Sequence, residues 1–218
     1  MQELNRRSVL WGLGACVAGG VGCSLTAPAE ASADPASRVR ANLYACEGCE
    51  AILEREPTKL SATVQLASDA EPGERMRLTG KVLSADGRKP VAGVVIYAHH
   101  TNAAGLYANG SDESEWSRRH GRLRGWARTG ADGVYTFDTI KPAPYPNDTL
   151  PAHIHLVVQE PGRRAYYIDD VVFDGEFGVT PKYRAGQEFR GGGGIVRLER
   201  PSAGLWLAKR DILLERHP

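Results

Sequence analysis

The 218-residue sequence has no excess of charge of either sign, since 27 Lys and Arg residues stand against 26 Asp and Glu. A dedicated nucleic-acid binder needs an excess of basic side chains to neutralise phosphates, so the composition disfavours that class. Apolar residues are not scarce, at 42% of the chain, which argues against a disordered protein. The 25 glycines and 13 prolines follow no collagen period, and they predict many turns and short strands.

Uninterrupted apolar runs are missing at the start of the chain. The run at residues 9–21 is broken by glycines and is shorter than the roughly 20 residues that a membrane-spanning helix needs. It follows Arg6 and Arg7 and precedes Ala31-Ser32-Ala33, a small-x-small cleavage site. This layout predicts an export signal of the twin-arginine type over residues 1–33, with a mature chain that starts at Asp34 and is periplasmic or extracellular.

Cysteine is also scarce, and two of the four cysteines lie within the predicted signal. Lipidation of Cys23 is an alternative to simple cleavage, although Gly20 fits such a site poorly. Cys46 and Cys49 remain, and in an oxidising compartment they predict a local disulfide. A haem attachment site would need His where Glu50 stands, and a structural zinc site would need a second pair of ligands.

From residue 73 onward the apolar pattern is that of a strand-rich protein. Residues 34–72 are polar and are interpreted as an N-terminal arm with a short helix near residues 47–55. Residues 99–128 are polar with four glycines, and they are interpreted as a long loop. The chain is therefore predicted to be all-β, with a sandwich or barrel domain at residues 73–218. Its predicted strands are residues 77–83, 91–98, 134–137, 153–158, 166–173, 195–198 and 205–214.

Two histidines in a predicted strand are candidate metal ligands. His153 and His155 are separated by one residue, so both side chains project from the same face of the strand. Two adjacent imidazoles are a ligand pair suited to a transition metal. The alternative is a partly exposed strand with two hydrogen-bonded histidines, because a His-x-His pair alone is a weak signal.

Two tyrosines are candidate partners of these histidines. Tyr145 lies between Pro144 and Pro146, which stiffen the loop and can hold the ring in place. Tyr107 follows Gly105, which permits a sharp turn that could aim the ring inward. The alternatives are a surface aromatic for Tyr145 and an aromatic that caps the core for Tyr107.

The order and spacing of these segments resemble the intradiol ring-cleavage dioxygenases, the family of catechol and protocatechuate dioxygenases. The resemblance runs from about residue 78 to residue 174 and rests on residues 102–107, 129–135, 139–145 and 151–155. It implies a prealbumin-like β-sandwich core and a mononuclear non-haem Fe(III) site. By position, the implied iron ligands are Tyr107, Tyr145, His153 and His155.

The resemblance also implies a reaction, in which O2 opens a catechol-type ring between its two hydroxylated carbons to give a muconate-type diacid. Tyr107 would stay on the metal, whereas Tyr145 would be displaced by the substrate and could accept a proton. The donor types agree with a ferric ion, because phenolate oxygens are hard anionic ligands. The charge of the ion would drive their deprotonation at neutral pH, although free Tyr has a pKa of about 10.

Two positions depart from the family pattern. Well-known members carry an Arg three residues before the first His and a Gln on the next strand, where this chain has Leu150 and either Asp169 or Asp170. Neutral and acidic side chains cannot stabilise the charge that develops in the reaction. The two aspartates could instead hydrogen-bond the ring nitrogens of the ligating histidines.

Other cations are therefore candidates for the missing charge. Arg122 and Arg124 are predicted as catalytic residues, and Arg190 is a further candidate. The alternative for all three is a solvated loop charge. Leu150 and Trp126 would suit a bulky apolar aromatic substrate.

Two other functions are weighed against the dioxygenase. A non-catalytic prealbumin-like β-sandwich that binds carbohydrate or cell-wall ligands would share the fold, but it would have no use for the four-residue set. A zinc or copper protein could use the same two histidines, although Tyr is an uncommon zinc ligand.

Overall fold

The computed structural model describes residues 39–54, 56–111, 113–202 and 204–218. The predicted export signal and Cys23 lie outside these residues. In the part of the chain that is described, no helix has the length and apolar character needed to cross a membrane.

Strands make up most of the regular structure, and the helices are short. A 3-10 helix spans Cys49–Leu53, and two α-helices follow, α1 (Glu115–His120) and α2 (Pro181–Ala185). The strands are β1 (Thr63–Gln65), β2 (Arg75–Leu83), β3 (Val95–His100), β4 (Arg124–Arg128), β5 (Val134–Ile140), β6 (His153–Gln159), β7 (Tyr166–Phe173), β8 (Ile195–Val196), β9 (Leu198–Ser202), β10 (Leu205–Lys209) and β11 (Ile212–Leu213).

The strands form two sheets with one apolar core between them. The first sheet has the order β1-β5-β2-β10-β9, with β11 also paired to β2, and the second has the order β4-β3-β6-β7-β8. Alternating residues of the first sheet, such as Leu78 and Phe137, pack against alternating residues of the second, such as Ile96, Ile154 and Leu156. The prediction of an all-β sandwich is therefore confirmed.

The outer face of the second sheet is covered by the N-terminal arm. Ala51 and Ile52 of the 3-10 helix pack on Val95 and Tyr97 of β3, and the Trp126 indole nitrogen donates to the Ile52 carbonyl at 2.7 Å. Cys46 and Cys49 form the predicted disulfide, with their Cα atoms 5.7 Å apart. Both faces of this sheet are thus covered, one completely by the first sheet and one in part by the arm.

The last residues of the chain hold the start of the arm. Val39 forms an isolated parallel bridge with Arg216, and the Arg40 guanidinium donates to the Glu215 carboxylate at 2.8 Å. The Tyr44 hydroxyl bonds the His217 ring at 2.5 Å. The arm also contributes β1, which pairs in parallel with β5.

Three sequence predictions need correction. The loop predicted at residues 99–128 contains α1 and β4, and the strand predicted at residues 91–98 is displaced to Val95–His100. Gly93 has a positive φ of 77°, which breaks the extended chain before Val95. The predicted strand 205–214 is split into β10 and β11 by Arg210, whose buried guanidinium donates to the carbonyls of Arg190 and Gly191.

Candidate metal centre

Four side-chain donor atoms converge at one end of β6. The Tyr107 and Tyr145 hydroxyls are 2.7 Å apart, and the His153 and His155 Nε2 atoms are 3.1 Å apart. Tyr145 Oη lies 3.2 Å from His153 Nε2, and Tyr107 Oη lies 3.0 Å from His155 Nε2. Each atom thus contacts two of the others, and the four form a closed ring around a common centre.

The turn that carries Tyr107 is built by its own sequence. The Asn102 side-chain oxygen accepts from the backbone N–H groups of Ala104 and Leu106 at 2.9 and 3.0 Å, which closes the turn. Gly105 has a φ of 76°, and a Cβ there would lie 2.1 Å from the Pro144 carbonyl oxygen. A glycine is therefore required both by the backbone conformation and by the contact with the Tyr145 segment.

Two further bonds join the segments that carry the tyrosines. The Thr101 hydroxyl donates to the Ala143 carbonyl at 2.7 Å, and the Ala143 N–H donates to the Asn102 carbonyl at 3.2 Å. The prolines around Tyr145 limit its backbone further. The separation of the two hydroxyls is thus set by the backbones of both segments.

The two histidines are oriented by partners of their second ring nitrogens. His153 Nδ1 donates to the Pro151 carbonyl at 2.7 Å, and His155 Nδ1 lies 2.9 Å from the Asp170 carboxylate. Both Nε2 atoms are thereby directed toward the tyrosine hydroxyls with their lone pairs available to an ion. Of the two aspartates predicted as partners of the histidines, Asp170 lies beside His155 Nδ1, whereas Asp169 accepts instead from the N–H groups of Phe189 and Arg190.

Burial shapes the protonation of the site in the absence of an ion. Desolvation raises the pKa of Tyr107 and of Tyr145 above the usual value for tyrosine. Desolvation, reinforced by the nearby His155, lowers the pKa of His153. Near neutral pH the phenols are therefore protonated and His153 is neutral, so phenolate ligands would form only in exchange for a bound cation.

The donor set fits a hard, highly charged metal ion. Two phenol oxygens and two outward-pointing imidazole nitrogens form one small cluster, and all four side chains are held by neighbouring hydrogen bonds or prolines. His153, His155 and Asp170 also have ligand atoms within 4.8 Å of one another. Asp170 is better regarded as the partner of His155 Nδ1, because its oxygen is 2.9 Å from that nitrogen and the opposite nitrogen faces the tyrosines.

The structure does not bring the predicted arginines to the four donors in the part of the chain that is described. Arg122 makes a paired contact with the Glu71 carboxylate at 2.8 and 2.9 Å, and Arg124 lies over the Trp126 ring at 5.6 Å. Arg190 is fully buried and donates to the carbonyls of Tyr167 and Leu43. The catalytic role of Arg122 and Arg124 stays a prediction that no contact supports.

The two positions predicted to favour an apolar substrate lie in different surroundings. Leu150 is 44% exposed and borders a cavity of about 310 Å³ together with Tyr167, Asp170 and Tyr183. Trp126 is buried beneath the arm, where its ring nitrogen donates a hydrogen bond to the Ile52 carbonyl. Leu150 is therefore at an accessible surface beside Asp170, and Trp126 supports the arm.

Two histidines near the centre were missed from the sequence. His99 on β3 is the register partner of His155 on β6, and His120 is the last residue of α1. A strand assignment that ran through His99 would have placed it on the same face as Tyr97. The position of His120 depends on the packing of α1, which no pattern in the sequence indicates.

Comparison with known proteins identifies the family to which the chain belongs. A family model described as "Dioxygenase" matches residues 51–182, which is more than half of the chain. The chain therefore belongs to this family, the intradiol ring-cleavage dioxygenases, as the four motifs had indicated.

Curated relatives carry matching names. The chain is 37% identical over 107 residues to the protocatechuate 3,4-dioxygenase beta chain of Burkholderia cepacia, covering 46% of this chain and 45% of the relative. It is 29% identical over 147 residues to catechol 1,2-dioxygenase 2 of Acinetobacter lwoffii, covering 55% of this chain and 52% of the relative. The chain thus spans about half the length of these relatives.

Solved structures show the same fold. The dioxygenase domain of a dioxygenase carbohydrate-binding protein fusion from Streptomyces sp. SirexAA-E superposes with a TM-score of 0.52 at 24% identity, covering 74% of this chain and 94% of that one. Catechol 1,2-dioxygenase from Pseudomonas arvilla C-1 superposes with a TM-score of 0.52 at 24% identity, covering 72% of this chain and 58% of that one. At this identity the likeness supports the two-sheet architecture alone.

Proposed function

We propose that the protein is a non-haem Fe(III) intradiol dioxygenase that opens a catechol-type ring between its two hydroxylated carbons with O2, giving a muconate-type diacid. The observation that carries this proposal is the closed ring formed by Tyr107 Oη, Tyr145 Oη, His153 Nε2 and His155 Nε2, with neighbour distances from 2.7 to 3.2 Å. Membership of the dioxygenase family and the names of the curated relatives support it.

The residues of the candidate metal centre would have different roles. A ferric ion, when bound, supplies Lewis acidity toward catechol oxygens and a one-electron acceptor for the aromatic ring. Tyr107, His153 and His155 would hold it, with His155 fixed by Asp170 and His153 fixed by the Pro151 carbonyl.

Tyr145 is suited to the proton transfer. Desolvation raises the pKa of its hydroxyl, so a Tyr145 phenolate would readily accept a proton from an incoming catechol hydroxyl. Tyr145 belongs to a loop outside the strands, whereas both histidines belong to β6. Movement of the Tyr145 side chain therefore disturbs no strand pairing.

The test is the colour and the iron content of the purified protein. Iron-loaded protein is expected to be coloured by tyrosinate-to-iron charge transfer, and Tyr107→Phe or His153→Ala is expected to remove the colour while the fold persists. Arg77→Gln, at an exposed ion pair on β2, is the control that leaves the colour unchanged. Catechol oxidation would be followed by O2 uptake and by the ultraviolet absorbance of the diacid.

The other functions predict different results. A colourless protein that contains zinc or copper would support a different metalloprotein, and a protein that binds no metal would support a non-catalytic binding module. Either result would overturn the proposal. The tyrosines count against zinc, because Tyr is an uncommon zinc ligand.

We also propose that the protein is exported by the twin-arginine route. Arg6, Arg7, the short apolar run at residues 9–21 and the cleavage site at residues 31–33 support this. The Cys46–Cys49 disulfide agrees with an oxidising compartment. The expected mature N terminus is Asp34, and Arg6→Lys with Arg7→Lys should retain the full-length chain in the cytoplasm. Mature protein in the periplasm of this double variant would contradict the route.

A further inference from the structure

Two histidines outside the set of four donors extend the row of imidazoles away from the metal centre. The His99 ring lies 4.5 Å from that of His155 and 5.9 Å from that of Tyr107. The His120 ring lies 3.7 Å from that of His99. The metal centre is thus joined by side-chain contacts to the end of α1.

These two imidazoles keep unused hydrogen-bonding capacity. His99 is only 7% exposed, and its Nδ1 is buried without a hydrogen-bond partner in the described ranges. His120 uses Nδ1 to bond the Tyr97 hydroxyl at 2.9 Å, and no bond joins its Nε2 to another described residue. Of the two, His99 Nδ1 is a buried polar atom without a partner, which is costly and rare in folded proteins unless a ligand or a water bonds it.

A cavity of about 230 Å³ is bordered by both histidines and by the metal-centre residue His155. Residues 46–48 of the loop that the Cys46–Cys49 disulfide closes also border this cavity, and Gly48 has a φ of 86°. A Cβ on Gly48 would lie 3.6 Å from His120 Nε2, so this nitrogen is at the wall that the loop shares with the cavity. The volume suits part of one aromatic ring and is below the range of larger ligand pockets.

The neighbours of His120 set the direction of its hydrogen bonds. One hydrogen bond of 2.9 Å joins the Tyr97 hydroxyl to His120 Nδ1, and a phenol is a stronger hydrogen-bond donor than a neutral imidazole N–H. We therefore assign the hydrogen of this bond to Tyr97, so that His120 Nδ1 accepts it. In that tautomer His120 Nε2 carries the proton and presents a donor at the cavity wall.

Charge distinguishes between possible substituents of a substrate. The ionisable carboxyl groups that border the cavity are those of Glu47 and Asp170, and no Lys or Arg of the described ranges borders it. Glu47 is highly exposed and lies 3.6 Å from the Arg119 guanidinium, so its charge is partly screened. A carboxylate in the cavity would meet like charge, whereas a hydroxyl could accept from His120 and donate to Asp170.

We propose that this cavity is a specificity pocket that receives an additional uncharged hydroxyl of a ring-hydroxylated catechol, with His120 as its hydrogen-bond donor. The pocket selects trihydroxybenzenes over catechols that bear a carboxylate. The inference rests on the proposed function, because the ring must be held at the metal centre by its two adjacent hydroxyls.

The test is an anaerobic titration of the iron-loaded full chain with catechol, hydroxyquinol and protocatechuate, followed in the charge-transfer band. Hydroxyquinol is expected to bind about 10-fold more tightly than catechol, and protocatechuate more weakly than both. His120→Phe is expected to lower the hydroxyquinol-to-catechol affinity ratio about 10-fold. His120→Gln retains a hydrogen-bond donor and is expected to lower this affinity ratio less than His120→Phe does. The control is Arg118→Gln, on the exposed side of α1, which should leave the affinity ratio unchanged.

Two results would overturn the pocket. One is a hydroxyquinol-to-catechol ratio that is the same in His120→Phe as in the wild type, and the other is wild-type protein that binds protocatechuate as tightly as hydroxyquinol. If His120→Phe does not fold, His120→Gln and the wild-type panel decide. Loss of the charge-transfer band in wild-type protein would overturn the proposed function itself, whereas an intact band without a His120-dependent ratio would overturn the pocket alone.

Discussion

The two faces of the second sheet are both covered, the outer one less completely, and they carry opposite chemistry. On β6, Ile154, Leu156 and Val158 face the first sheet and join the apolar core, whereas His153 and His155 face outward and carry two of the four donors. Successive residues of a strand point to opposite faces, so a step of one residue separates core from site. Burial alone does not identify the function of a residue here. The segment that covers a residue does identify it, because the first sheet covers the apolar face, whereas the arm and loops cover the face that carries the donors.

The same contrast is seen in two consecutive histidines of β3. His100 is on the inner face, and both of its nitrogens are paired, Nδ1 with the Thr101 carbonyl at 2.7 Å and Nε2 with the Thr139 hydroxyl at 2.6 Å. His99 is on the outer face, and its buried Nδ1 has no partner in the described ranges. A fully paired imidazole contributes to the structure, whereas an unpaired one beside a cavity is available to a ligand.

The largest expected effect is on the outer face, at His155. Replacing it with Ala removes a donor from the centre, so we expect metal affinity to fall by more than the roughly 10- to 100-fold that the loss of a supporting partner causes. The folded state should persist, because the inner face is untouched. Metal content after dialysis and the midpoint of thermal unfolding measure the two effects separately. Retained stoichiometric metal would contradict the assignment of His155.

The matched change on the inner face is Leu156→Ala. Leu156 is 1% exposed within the core, and truncation of such a residue costs about 2–5 kcal/mol of unfolding free energy. We expect the protein that remains folded to bind metal as the wild type does. Urea unfolding gives the loss of stability. A stable variant that loses its metal would show that the two faces are not separable.

The next effect concerns the pH dependence of stability. Burial lowers the pKa of His100 from 6.5 to about 4. The unfolded chain therefore takes up a proton as the pH falls below 6.5, while the folded protein does so only near pH 4. Stability from this group is fully present above pH 6.5 and is lost between about pH 6.5 and 4, by about 3 kcal/mol.

His100→Gln removes this titration while it offers similar hydrogen-bonding atoms. Urea unfolding of metal-free wild type and variant at pH 7, 5.5 and 4.5 should show a shallower decline in the variant. Parallel declines in the two proteins would mean that His100 is not the group responsible.

The smallest expected effect is at Asp170, which touches the centre only through His155. Asp170→Asn removes the charge that holds His155 Nδ1, and we expect metal affinity to fall about 10- to 100-fold. Asp169→Asn is the control, because Asp169 accepts from backbone groups at residues 189 and 190 and should affect stability rather than metal affinity. Competition with a chelator measures the affinity, and equal effects of the two variants would contradict the distinction.

The four donors could be predicted because local sequence made each residue a candidate and the resemblance to the family then selected them together. The spacing of His153 and His155 puts them on one face of a strand, and Gly105 and the prolines mark the two loops that aim the tyrosines. The sandwich could be predicted from alternating apolar residues and turns. These features need no knowledge of which strands are neighbours.

The rest depends on contacts between distant segments. His99 is significant only because β3 pairs with β6 in a register that puts it opposite His155. The strand β4 could not be recognised from its sequence. It has an arginine at each end, and Gly125 and Ala127 alone give no clear alternation of apolar and polar residues. The engagement of Arg122 by Glu71, 51 residues earlier, could not be read from the neighbours of either residue.

The attachment of the arm to the chain end has a practical consequence. Arg40 and Tyr44 bond Glu215 and His217, so the last residues of the chain fasten the segment that leads directly into the disulfide loop beside His120. An affinity tag fused directly after Pro218 would lie next to these contacts. We expect it to alter substrate preference with no change at the four donors. A tag placed there calls for a flexible Gly/Ser spacer before substrate selectivity is measured.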